Sequence, residues 1–123
     1  MLHNSKTPLQ KGAQAEAYVA QWLIDQGFSI IETNYRQRCG EIDLIVSCPE
    51  YIIFVEVKAR THMYCSASEL VPYSKQKRIT KAAHHYLAYN NIHDKVIRFD
   101  VAIVHGHQYH IDYFPNAFVL EHE

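Results

Sequence analysis

The chain has 123 residues, 48% hydrophobic and 20% charged, the composition of one ordinary globular domain with a small core. No run approaches the roughly 18 apolar residues of a membrane span, and Met1–Gln10 holds no apolar stretch of signal-peptide type, so the expected location is the cytoplasm, with no membrane partner. A net charge of −1 excludes a chain that coats nucleic acid through bulk charge alone.

Residues 1–10, with Pro8, read as a flexible lead-in, residues 11–118 as a single domain and residues 119–123 as a tail. Residues 12–26 predict an amphipathic helix with Ala13, Val19, Ala20, Leu23 and Ile24 on one side, stopped at Gly27. Residues 28–34 and 41–47 predict two strands. Cys48, Pro49 and Glu50 predict a turn into a third strand over 51–59, and the last two strands most simply form a hairpin. Residues 61–73 lack periodicity and read as a loop. After Pro72, residues 74–90 predict a second helix with an Ile79, Ala82, Ala83, Tyr86 and Leu87 stripe, and residues 96–104 and 108–114 predict two more strands about Gly106. Helix, three strands, helix and two strands imply an α/β or α+β protein, one sheet with helices packed on it.

Cys39, Cys48 and Cys65 are odd in number and form no CxxC pair, which points to inert thiols in a reducing compartment. The charge is unevenly spread. Between residues 58 and 81 stand Lys58, Arg60, Lys75, Lys77, Arg78 and Lys81 against one acid, Glu69, and Arg36 and Arg38 lie upstream. Such a face tracks phosphates or is simply solvated; charge alone does not separate the two.

The third strand carries the chemistry. Side chains alternate between faces, so Glu56 and Lys58 project together with Ile52 and Phe54, while Val55 and Val57 point away. A strand apolar on both faces is buried, and a buried carboxylate and ammonium need a partner or a ligand. A two-residue loop at 48–49 or 49–50 places Asp43 opposite or diagonal to Glu56 on the same face. Two close carboxylates repel unless a proton or a cation lies between them, and hard oxygen donors suit Mg²⁺ or Mn²⁺. Glu16 interrupts the apolar stripe of the first helix, the local violation expected at a functional site. On the second helix Lys75 and Gln76 extend the apolar line toward the N-terminus and point at the sheet, whereas Lys77, Lys81 and His84 face outward. A cation held by Asp43, Glu56 and Glu16, with Lys58 beside it, is suited to phosphodiester hydrolysis. A ladder of ordinary ion pairs accounts for each residue taken singly, but not for the joint pattern.

The runs Gly40-Glu41-Ile42-Asp43-Leu44-Ile45 and Phe54-Val55-Glu56-Val57-Lys58-Ala59-Arg60 resemble the YraN family of uncharacterised bacterial proteins. Gly12-Ala13-Gln14-Ala15-Glu16, Asn34-Tyr35-Arg36 and Arg98-Phe99-Asp100 match it too, and the likeness spans residues 10–118. That family is similar to archaeal Holliday-junction resolvases and other PD-(D/E)XK nucleases. The resemblance implies a restriction-endonuclease-like fold, a central mixed sheet of about five strands flanked by helices. It also implies catalytic positions at Asp43, Glu56, Lys58 and Glu16, with Gln76 as the polar residue of the second core helix. DNA, branched or structured, is the implied partner, and a symmetric cut of a junction would call for a homodimer; the uneven charge offers Arg36, Arg38, Arg60, Lys75, Lys77 and Arg78, with Gln76, as its candidate contacts. Ile42 stands where the motif has Pro, and residues 62–74 depart from the family pattern.

Other groupings are read as structural. His105, His107 and His110 suggest zinc only weakly, without a cysteine at ligand spacing. Arg98 and Asp100 share a strand face as an ion pair. Two further functional classes stay open: a non-catalytic nucleic-acid-binding module on the same fold, and a protein-interaction domain whose acidic cluster is structural.

Overall fold

The computed structural model describes residues 8–60, 71–106 and 110–119. The elements are α1 (Pro8–Asp25), β1 (Ser29–Gln37), β2 (Gly40–Ser47), β3 (Tyr51–Arg60), α2 (Tyr73–Tyr89), β4 (Val96–His105) and β5 (His110–Phe118). Residues 61–70 of the loop expected over 61–73, with Cys65, and His107 of the weakly suggested zinc grouping lie outside the described residues.

The five strands form one sheet in the order β1-β2-β3-β4-β5. Backbone groups of Cys48 and Tyr51 bond each other in both directions, at 3.1 and 3.3 Å, so Pro49 and Glu50 are the two loop residues of the β2–β3 hairpin. β3 and β4 are parallel over ten pairs, from Tyr51–Val96 to Arg60–His105, and all other neighbours are antiparallel. A parallel pair cannot be closed by a tight turn, and α2 lies in the long connection it needs. The result is an α/β protein with a mixed sheet, consistent with the restriction-endonuclease-like fold.

β3 sits in the middle and is buried without a break from Ile52 to Glu56. On one face Ile52, Phe54, Phe99 and Ile103 pack under Ile79, Ala82, Ala83 and Tyr86 of α2. On the other, Leu44, Val46, Ile53 and Val55 pack under Ala15, Val19 and Leu23 of α1. The buried row of α1 therefore differs from the expected stripe: Ala15 belongs to it, while Ala13 and Ile24 are exposed. Strict i, i+4 spacing keeps residues 15, 19 and 23 in line over the pleat, whereas Ile24 lies about 100° round from Leu23.

Both edge strands run past their expected ends, through bulges. In β5, Pro115 breaks the pattern, but the strand resumes to Phe118 because Asn116 adopts a left-handed conformation (φ 55°) and gives its N–H to Asp100 at 2.9 Å. Asn is one of the few residues that enters this region readily. In β1 the register slips between Ile30 and Glu32, and Asn34 is left-handed (φ 52°).

Gly40, at the start of β2, sets how close α2 comes. A Cβ there would lie 2.5 Å from the carbonyl oxygen of Arg78 and 2.8 Å from its carbon. Helix backbone cannot yield as a flexible side chain would. Gly40→Ala is expected to cost about 1–3 kcal/mol through overpacking and to move the N-terminal half of α2 off the sheet. Equilibrium denaturation checks the first outcome, and the chemical shifts of Lys75 and Arg78 check the second.

Candidate functional site

The β2–β3 ladder runs in register from Ser47–Ile52 to Leu44–Val55 and then stops. Narrow pairs alternate from Cys48–Tyr51, so the next one would join Val57 N–H to the carbonyl of Ile42. Instead Val57 donates to Asp43 Oδ2 at 2.8 Å. The strands fork at this point and a carboxylate fills the fork. Opposite Asp43, on the β1 side, stands the left-handed Asn34, and the β1–β2 pairing skips this one position between Thr33–Leu44 and Tyr35–Ile42.

Glu56 is 4% exposed and Asp43 8%. The two carboxyls hydrogen-bond to one another. Two lysines reach the same oxygen of Glu56: Lys58 Nζ lies 3.3 Å from Oε2, and Lys75 Nζ, from α2, lies 2.5 Å from it. Glu16 approaches from the α1 side and hydrogen-bonds both Asn34 and Asp43. It stands at the border of the buried row of α1, next to Ala15, and not in the middle of the apolar stripe as the sequence suggested. It lines a groove with Ala13, Ala17, Ala20 and Asn34. The fork is what lets groups from both faces of the sheet meet.

Burial and then the charge of Glu56 push Asp43 up from 3.8 to about 8. Burial raises Glu16, against the hydrogen bonds from Asn34 and Asp43. Burial and the neighbouring Lys75 ammonium push Lys58 down. Burial works against the Lys75 ammonium too, but its hydrogen bond to Glu56 and the charges of Glu56 and Asp43 outweigh that, and its pKa is raised. Near neutral pH Asp43 in the metal-free site is therefore on the protonated side of its titration.

A polar cleft of about 420 Å³ opens onto Asp43 and Glu56, with Glu41, Gly40, Lys75 and Arg78 on its walls. Among the described residues no group of three or more His, Cys, Asp and Glu side chains is arranged to hold a metal by itself. Asp43 and Glu56 are two adjacent hard-oxygen donors, not a complete cage.

The sequence profile of the uncharacterised protein family UPF0102 matches residues 15–104. The chain belongs to the UPF0102 (YraN) family. It is 38% identical over 110 residues to a UPF0102 protein of Clostridioides difficile, covering 89% of this chain and 96% of that one. It is 38% identical over 122 residues to one of Rhodococcus opacus (96% of this chain, 100% of that one), and 40% identical over 109 residues to one of Alkaliphilus metalliredigens (87% and 96%). The UPF0102 match takes in Glu16, Asp43, Glu56, Lys58 and Lys75.

The other expected contact residues of this UPF0102 protein are scattered. Arg78 lines the cleft. Arg36 is exposed and pairs with Glu41 at 3.3 Å, and Arg38 is exposed. Lys77 is exposed and leans over the Tyr73 ring at 5.6 Å. Gln76 gives its amide to the carbonyl of Val71 at 2.9 Å, which secures the start of α2. Arg60 is half-buried and donates to the carbonyl of Ala59. Arg98 and Asp100 form the expected ion pair, completed by Tyr113 O–H. His105 and His110 both bond Asp112, at 2.8 and 3.0 Å. Sequence reasoning did not assign Asn34 to the site, and it put Lys75 among the nucleic-acid contacts instead of on Glu56. An Asn among β-formers was the available signal for the first.

Because the folded pKa of Asp43 is raised above its unfolded value, its contribution to stability is fully present below pH 3.8 and is lost as pH rises toward and through about 8. Metal-free protein should therefore lose stability across that window. Asp43→Asn should flatten the slope and be more stable than wild type at pH 8 by about 1 kcal/mol or more. Denaturant titrations in chelator at several pH values measure both, and an unchanged slope in the variant contradicts the assignment.

Proposed function

We propose that this UPF0102 protein is a divalent-metal-dependent phosphodiesterase acting on nucleic acid, with branched or structured DNA as its substrate class. The supporting observation is the fork at Val57, which forces Asp43 against Glu56 beside Lys58 at the floor of an open polar cleft.

The residues fit a hard divalent cation. A cation between the two buried carboxyls would take the place of the proton that Asp43 keeps and remove their repulsion. Mg²⁺ is ordinarily held by one or two carboxylates, with waters and substrate phosphate completing its shell, which suits a two-acid site. Asp43 and Glu56 would hold the ion, and Glu16 would support Asp43 through their hydrogen bond. When bound, the ion supplies Lewis-acid polarisation of the phosphate and a more acidic water. Lys58, fixed by its strand next to Glu56, places the attacking water or steadies charge on the phosphate oxygens. Arg78, on the cleft wall, orients the backbone by a forked contact.

One observation favours a second reading. Glu56 already has two ammonium partners, so a binding module with a structural acid cluster needs no metal at all. Cleavage of linear, nicked, flapped and four-way DNA with Mg²⁺ and Mn²⁺ separates the two. Wild type should cut, and Asp43→Ala and Lys58→Ala should fall by roughly 10²-fold or more. Three equally inert proteins that still bind DNA leave the binding module standing. Symmetric cutting of a junction needs two centres, so light scattering with DNA should report a dimer.

A further inference from the structure

We infer that Lys75 is a built-in stand-in for the metal: its ammonium neutralises Glu56 in the metal-free protein, and a divalent cation displaces it into the cleft, where it meets substrate phosphate. This rests on the metal-dependent reading above.

Glu56 has a sheet-borne counter-ion in Lys58, held by strand direction two residues along. Lys75 comes from another layer of the fold and still reaches the same oxygen more closely, 2.5 against 3.3 Å. The cleft is lined by Lys75 and not by Lys58. A cation entering from the cleft toward Glu56 therefore meets Lys75 first. An ammonium and a divalent ion on one carboxylate oxygen repel strongly in a buried setting, so the two exclude each other. Lys75 can leave: its side chain is 33% exposed against 19% for Lys58, and a lysine is a point charge on a flexible stem without a fixed donor geometry. The same cleft offers it Glu41 and open space for a phosphate. Gly40 keeps α2 near enough for the first position.

The consequence is a cation whose removal strengthens metal binding and weakens nucleic-acid binding. The test is calorimetric titration of the full chain with Mn²⁺ at pH 8 without nucleic acid, comparing wild type, Lys75→Gln and Lys75→Arg, followed by DNA binding in Ca²⁺. Lys75→Gln is expected to bind Mn²⁺ roughly tenfold tighter or more and DNA more weakly, while Lys75→Arg, which keeps the charge, gains no metal affinity. Equal or weaker Mn²⁺ binding by Lys75→Gln overturns the inference. A second measurement needs no variant: side-chain resonances of Lys75 in wild type should move on saturation with Mg²⁺, and stationary resonances overturn it. Failure of wild type and Lys75→Gln alike to bind Mn²⁺ removes the metal reading and this one together. Mn²⁺ binding by wild type without a gain in the variant removes only this one.

Discussion

One hydrogen bond organises the centre of this molecule. The amide of Val57 takes a side-chain carboxylate where the ladder would supply a main-chain carbonyl. Backbone N–H groups inside a sheet must be satisfied, so the substitution fixes Asp43 in place without any help from a ligand. The same bond ends the β2–β3 pairing and opens the gap through which Glu16 from one face and Lys75 from the other approach the same pair of acids. A carboxylate held this way cannot relax away from Glu56. Burial, and then the repulsion by Glu56, raise its pKa to about 8.

The surroundings make that arrangement tolerable. Apolar side chains pack both faces of β3, on one side under α2 and on the other under α1, and β3 is flanked by a strand on each edge. Phe54 stacks on Phe99 at 5.4 Å and meets Tyr86 edge-on, which anchors the strand just before Glu56. The cost of burying Glu56 is offset by two ammonium groups, and that of burying Asp43 by the Val57 N–H. Gly40 contributes by the absence of a side chain, since α2 could not bring Lys75 and Arg78 to the cleft if a methyl group stood against the Arg78 carbonyl.

Much of this was legible in the sequence for definite reasons. Period-two alternation put Glu56 and Lys58 on one face, and a turn at Pro49–Glu50 set a register that brings Asp43 toward Glu56. The two helices followed from their apolar spacing. The fork was not legible, because which acceptor an amide chooses depends on competition between a carbonyl and a side chain at the same place. Lys75 on Glu56 was not legible either. Its helix carries four basic side chains in and around its first two turns, Lys75 with Lys77, Arg78 and Lys81, and only the approach allowed by Gly40 singles one out. The roll of α1 was misjudged by one position because Ile24 is apolar and exposed, and burial of a helix face follows the i, i+4 row that meets the sheet. Pro115 masked the end of β5, where a left-handed asparagine restored the strand.

The two left-handed asparagines of the edge strands share a design. Asn34 in β1 faces the inner-strand acid Asp43, and Asn116 in β5 gives its amide to the inner-strand acid Asp100, which is fully buried. Each bulge turns the outer rim of its strand out of register, and Pro115 removes a donor from β5 altogether. Neither rim then offers the long, flat row of free amides and carbonyls that invites another strand. On the β5 side the residue that disrupts the rim is also the one that satisfies buried Asp100, so resistance to edge-to-edge pairing there follows from the internal charge chemistry and not from a separate surface adaptation.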